Sequence, residues 1–212
     1  NGDRLMPDPI LVGRTPERLR ALAERFSLAR WTTDLDAALA DPADELFFEC
    51  AYGGGRVELA RRALAAGKHI YLEKPVAETL AEVLALRAEA DRAGRRHAVM
   101  QDKIHLPGLV KLKTVLDLGT LGRLLSMRLE FGWWVFDGEV IPAQRTSWNY
   151  RKATGGGLVL DMFPHWRYVI DHLFGAPAAL TCHMRTAQLK RWDEQHRPYD
   201  VDVEDEARAI LE

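Results

Sequence analysis

Two stretches of this sequence hold residues able to do chemistry. In "GGGLVLDMFPHW", Asp161 and His165 stand four residues apart, and at that spacing on a helix two side chains share one face. A carboxylate beside an imidazole orients the ring and strengthens its hold on a proton, which is the arrangement of a general acid/base. The same pair is also a common structural device, so the three preceding glycines, Gly155, Gly156 and Gly157, matter: they allow backbone or ligand to come close. The second stretch is "GKHIYLEKP". Its apolar run, His69-Ile70-Tyr71-Leu72, ends in Glu73, Lys74 and Pro75. Proline removes a backbone donor and confines the residue before it to extended conformations. Lys74 therefore reads as a placed charge, and the peptide before Pro75 is a candidate for the cis form.

The elements around these residues are legible from their patterns. "PILVGR" (9–14) is a short apolar run closed by Gly13 and reads as a buried strand. "TPERLRALAERF" reads as a helix, with Thr15 as N-cap, Pro16 in the first turn, and Leu19, Leu22 and Phe26 at helical spacing. "TTDLDAALAD" is a second short helix and "ELFFECA" (45–51) a second buried strand. In "RVELARRALAAG", Val57, Ala60 and Leu64 share one helical face and Gly67 lies beyond its end. After the strand 69–72, Thr79 and Glu82 make a capping-box pattern for a helix that closes near Gly94. "HAVMQ" (97–101) is another strand. Short apolar strands alternating with amphipathic helices imply a parallel sheet covered by helices. In such sheets ligands bind beyond the carboxyl ends of the strands. Here those ends carry Arg14; Ala51 and Tyr52; Glu73, Lys74 and Pro75; and Gln101, Asp102 and Lys103.

The pattern changes after residue 120. Leu125, Met127, Leu129 and Phe131 alternate with Ser126, Arg128 and Glu130, as in an antiparallel strand with one wet face. "ALTCHMR" repeats the design with Leu180, Cys182 and Met184, and "EARAILE" alternates likewise. Between them a polar loop (143–154) leads into an apolar helical stripe, Leu158, Met162, Trp166, Val169 and Leu173. Pro164 is awkward in a helix interior, so the regular helix is expected to begin later than Gly157. The acidic run "YDVDVEDE" lacks the glycine and spacing of a calcium loop and reads as a solvated loop. Trp133 and Trp134 read as sheet or interface packing.

The composition narrows the possibilities. The chain has 212 residues, 47% hydrophobic and 28% charged, an ordinary globular balance. This length suits one full domain and part of another, with residues 1–103 as the first and 104–212 as an incomplete second. The formal charge is -2, from 29 basic and 31 acidic residues spread along the chain, so nucleic-acid or anionic-membrane binding finds no support. No apolar stretch approaches the ~20 residues of a membrane span. Cys50 and Cys182 read as buried thiols of a reducing, cytoplasmic compartment, and His172 and His183 as structural rather than metal ligands. The chain begins at Asn1 and stops in mid-alternation, so it is expected to be part of a longer one.

Taken together, "AGKHIYLEKPVAETLAEVLAL" (66–86), "GTLGRLLSMRLEF" (119–131) and "GGGLVLDMFPHW" (155–166) resemble the signatures of the glucose–fructose oxidoreductase / inositol dehydrogenase (Gfo/Idh/MocA) family, over essentially the whole chain. The resemblance implies an α/β fold: a Rossmann-type parallel sheet followed by an α+β domain with an open, mainly antiparallel sheet. It also implies hydride transfer between NAD or NADP and a secondary alcohol of a sugar, cyclitol or related polyol. Lys74 matches the family lysine at nicotinamide and substrate hydroxyl, and Asp161 and His165 match the substrate-side pair. Asp102 and Lys103 fall beside the expected nicotinamide, and Tyr150 and Arg151 on the substrate side. Arg14 ends a parallel strand where an arginine accepts the NADP 2′-phosphate, which favours NADP. The sequence departs from the family in two places. The Gly-x-Gly-x-x-Gly phosphate loop is absent, so the first βα unit is expected to be missing, and "YGGGRVE" replaces the usual Asn-x-x-His stretch. Apolar bulk at Trp133, Trp134 and Phe136 implies a homodimer or homotetramer. The resemblance also admits an NAD-dependent glycoside hydrolase or a non-enzymatic ligand-binding relative.

Overall fold

A computed structural model describes residues 7–51, 55–132 and 135–212 of the chain. Two compact units divide it, one ending at Val99 and the next beginning at Met100.

The first unit alternates strand and helix: β1 (Ile10–Val12), α1 (Pro16–Phe26), β2 (Arg30–Thr32), α2 (Leu35–Ala40), β3 (Leu46–Glu49), α3 (Arg56–Ala65), β4 (His69–Leu72), α4 (Leu80–Arg92) and β5 (His97–Val99). All its strand pairs are parallel. β3, β4 and β5 form one sheet and β1–β2 a separate pair. β2 gave no periodic signal. Its three residues centre on Trp31, and the Arg30 guanidinium is held by both oxygens of Asp44 at 2.8 and 2.9 Å. The Thr79/Glu82 capping box forms as expected, whereas Thr15 holds the N-cap position of α1 without a side-chain cap bond.

Small residues let this unit close. Ala60 and Ala63 of α3 and Ala90 of α4 are fully buried, and with Leu64 and Leu86 they meet Ile70 and Leu72 of β4. With no bulk beyond Cβ, these helices settle close on the strand, and apolar burial there is worth roughly 25 cal/mol per Å².

The second unit opens with a 3₁₀ turn at Lys103–His105 and α5 (Pro107–Asp117), then continues through α6 (Leu158–Phe174), β6 (Leu180–Arg185), β7 (Lys190–Trp192), β8 (Pro198–Asp200) and β9 (Glu206–Leu211). The strands make two antiparallel pairs, β6–β9 and β7–β8. Several expectations are corrected here. The alternating stretch around Leu125–Phe131 forms no strand among the described residues, and Leu125 is 80% exposed. Phe131 nonetheless sets its ring 4.6 Å from Trp166. Leu180 and Met184 of β6 are likewise exposed, while Ala207, Ala209 and Leu211 of β9 keep the expected half-buried alternation. Cys50 is exposed and Cys182 half-buried, not buried thiols. Trp133 and Trp134 lie outside the described residues.

α6 does not wait for Pro164: it begins at Leu158 and runs through the proline. Its start is held from outside by Glu204, whose carbonyl accepts from Leu158 N at 3.0 Å and whose carboxylate accepts from Val159 N at 2.8 Å. Gly157 makes this possible, since it sits at φ 122° and a Cβ there would lie 2.8 Å from the Glu204 carboxylate. The acidic run is therefore no solvated loop. Val201 and Val203 are buried against Tyr150. Asp205 pairs with the buried Arg191 at 3.3 Å, and the Arg191 guanidinium lies 4.0 Å from the centre of the Tyr150 ring. Among the described residues no helix is long and apolar enough to cross a membrane. Glu204→Ala should cost about 0.5–2 kcal/mol, the range for a lost N-terminal cap, measurable by urea denaturation.

Candidate active site

In the first unit, candidate residues gather at the carboxyl ends of β3 and β4. Glu73 N donates to the Glu49 carbonyl at 3.0 Å, continuing the ladder one step past β4. Lys74 N donates to the Glu73 carboxylate at 3.1 Å, and the Lys74–Pro75 peptide is cis. Ala51 N donates to the Glu49 carboxylate at 2.8 Å, and Tyr52 lies outside the described residues. Arg14 follows β1 in a bend, with its side chain exposed. The Arg56 guanidinium bonds the Glu49 carboxylate and the carbonyls of Ala51 and Pro75, contacts that no sequence signal announced.

In the second unit the candidates meet on α6. Met162, His165 and Val169 form its buried row, so His165 lies within the apolar face of the helix. Its Nδ1 is 3.6 Å from a carboxylate oxygen of Asp102, a residue 63 positions earlier by subtraction of the two numbers. The acid partner expected for His165 was Asp161; the Asp102 carboxylate beside the ring was not anticipated. Lys103 Nζ donates to Asp102 at 2.9 Å. That bond, more than any other influence, holds the Asp102 carboxyl below its ordinary range, with His165 contributing. The stabilisation linked to this shift is present above the unfolded carboxylate value of about 3.9 and is lost as pH falls through the depressed folded value.

Arg145 supplies Asp161 with a charged donor and reaches Asn149 Oδ1 at 2.7 Å with the same nitrogen. The Asp161 side chain is 16% exposed, a setting in which a carboxylate needs such a partner. Arg145 and Asn149 were missed, although Arg145-x-x-x-Asn149 is a readable spacing. Tyr150 is buried, and burial pushes its hydroxyl up from its ordinary value. The Arg151 guanidinium stacks 4.4 Å from the centre of the Tyr199 ring. Gly156 lets this loop fold on itself, because a Cβ there would lie 2.6 Å from the Asn149 carbonyl oxygen. Gln101 is buried, and its Oε1 has no hydrogen-bond partner among the described residues. No cluster of His, Cys, Asp or Glu suited to a metal occurs among them either.

Residues 10–101 match the model of the oxidoreductase family with an NAD-binding Rossmann fold, and residues 109–212 match the GFO/IDH/MocA C-terminal domain. The chain belongs to the Gfo/Idh/MocA oxidoreductase family. It is 43% identical over 212 residues to D-xylose dehydrogenase from Paenarthrobacter nicotinovorans, covering 100% of this chain and 55% of that protein. It is 26% identical over 185 residues to scyllo-inositol 2-dehydrogenase (NADP(+)) IolW from Bacillus subtilis (strain 168), covering 86% of this chain and 48% of that protein. Among solved structures, levoglucosan dehydrogenase in complex with NADH and levoglucosan superposes with a TM-score of 0.80 at 27% identity, over 97% of this chain and 54% of that one. The chain thus spans about half the length of the relatives it matches.

Arg145→Ala removes a charged donor from Asp161 and from Asn149. Hydrogen bonds to charged groups contribute about 1.5–3 kcal/mol, and a loss of that size should appear in chemical denaturation of the variant.

Proposed function

We propose that the protein is an NAD(P)-dependent dehydrogenase acting on a secondary alcohol of a sugar or polyol, with an aldopentose the first substrate to test. The observation that carries this reading is the buried His165 on α6 beside an acidic side chain, with its Nδ1 3.6 Å from Asp102. A buried imidazole next to a carboxylate suits proton transfer with a hydroxyl. The 43% identity to a D-xylose dehydrogenase supports the substrate class.

A bound nicotinamide would supply the hydride acceptor, and the parallel strand ends of the first unit fit such a cofactor, because they present Arg14, Ala51 and Lys74 where a doubly wound sheet receives a ligand. In this proposal His165 takes the hydroxyl proton. Asp161, fixed by Arg145, is its substrate-side partner, and Asp102 keeps negative charge beside the ring. Lys74 stabilises the charge that develops on the substrate oxygen as the carbon–hydrogen bond breaks. Glu73 and Pro75 set the Lys74 backbone, and Lys103 balances Asp102. Tyr150 and Arg151 serve the substrate side from anchored positions, against Arg191 and Tyr199. Arg14, exposed and with no acid at Gly13 or Thr15, favours NADP over NAD through the extra phosphate. The protein is further proposed to work in the cytoplasm as a homodimer or homotetramer.

Replacing His165 with Ala should lower kcat by roughly 10²–10⁴-fold, the usual contribution of a general acid/base, while KM for the cofactor stays within a few-fold. Near-normal turnover at saturating sugar and cofactor would remove His165 from the mechanism. For Arg14→Ala, kcat/KM with NADP should drop about 10- to 100-fold, as for other hydrogen bonds to charged groups, with little change for NAD. Equal losses with the two cofactors would count against the phosphate contact.

A further inference from the structure

We propose that Arg56 is a positioning residue for Lys74, acting through the carbonyl of Pro75. The inference rests on the reading of Lys74 as a group that acts on the reacting hydroxyl.

Arg56 is the first residue of α3 and follows Gly55 at φ 97°. A cation is poorly placed at a helix N-terminus, where the macrodipole favours negative charge, yet this side chain does not escape to solvent. It is 15% exposed and turns back toward the strand ends, where its partner Glu49 is 3% exposed. The guanidinium contacts one side-chain carboxylate and two backbone carbonyls. It bonds the carboxylate of Glu49, the last residue of β3; the carbonyl of Ala51, at 3.2 Å; and the carbonyl of Pro75.

The contacts on either side of Lys74 trace back to one residue. Before it, Glu73 N bonds the Glu49 carbonyl, and the Glu73 side chain then accepts from Lys74 N. After it, the Pro75 carbonyl bonds Arg56, which bonds the Glu49 carboxylate. The backbone of Lys74 is thereby held on both flanks by β3, through Glu49.

A purely stabilising role explains this poorly. A buried ion pair is weak evidence for stability, since an apolar substitute of similar volume often does as well. What an apolar pair cannot do is bond two backbone carbonyls at once. Arginine has the fixed fork for that task, and lysine, a single point charge, does not. The charge of Arg56 satisfies Glu49, and its shape aligns the Lys74 segment.

The test compares Arg56→Lys and Arg56→Ala with the wild type in the full-length protein. Arg56→Lys keeps the charge opposite Glu49, so it should stay folded with KM values for sugar and cofactor within about threefold. Its kcat should fall about 10- to 100-fold, the scale of a small misplacement at a reacting centre. Added guanidinium ion at non-denaturing concentration should restore part of the kcat of Arg56→Ala. Hydrogen exchange in a peptide covering residues 73–79 should quicken in both variants while α4 stays protected. Wild-type kcat in Arg56→Lys together with unchanged exchange would overturn the proposal. So would a variant that loses thermal stability but keeps its turnover per folded molecule. If the wild type oxidises no sugar, the proposed function fails on its own, and the exchange at residues 73–79 still decides whether Arg56 holds the Lys74 segment.

Discussion

The second unit depends on how the N-terminus of α6 is held. The first N–H groups of a helix have no partners within it, and their positive end attracts negative charge. Glu204 meets both needs, taking Leu158 N on its carbonyl and Val159 N on its carboxylate. The segment that carries it is fixed on each side. Val201 and Val203 are buried with Tyr150, the Asp202 carboxylate accepts from Lys152 N at 2.7 Å, and Asp205 pairs with Arg191. A stretch whose composition suggests solvent thus fixes where α6 begins, and so fixes the depth at which Asp161 and His165 stand.

The first unit solves its own version of the problem at a sheet edge. Strands of three or four residues offer little pairing, and alanines on α3 and α4 bring the helices close enough to bury β4. Beyond the strand ends the backbone leaves the ladder, and polar side chains take over. Glu49 is the pivot, with its carbonyl extending the ladder to Glu73 and its carboxylate gathering Ala51 and Arg56. A buried carboxylate is tolerated there because it is fully engaged.

Much of this was readable in one dimension, and the failures have physical causes. The Thr79/Glu82 box and the shared face of Asp161 and His165 follow from helical period alone. β2 escaped notice because three residues around a single tryptophan carry no period. α6 defied the rule against interior proline because its start is bonded by a residue 46 positions beyond Leu158, by subtraction of the two residue numbers. In the acidic run, the count of charges hid the alternation of Val201 and Val203, which was the better signal. Asp102 beside His165, Arg145 on Asp161 and Arg56 on Glu49 are ionic contacts between separate elements or loops, and no local pattern encodes such a meeting.

The alternating stretch from Leu125 to Phe131 bears on how this chain meets other chains. It is apolar at every second position, and Leu125, Met127 and Leu129 are exposed. An exposed apolar alternation is the pattern of a segment prone to associate with other chains. Its defence is local: Arg128 and Glu130, bonded to one another, put paired charges on the alternate face. Charges flanking an apolar strand act as gatekeepers against stacking. Neutralising that pair would remove the guard from the apolar face, with no change to the proposed catalytic groups.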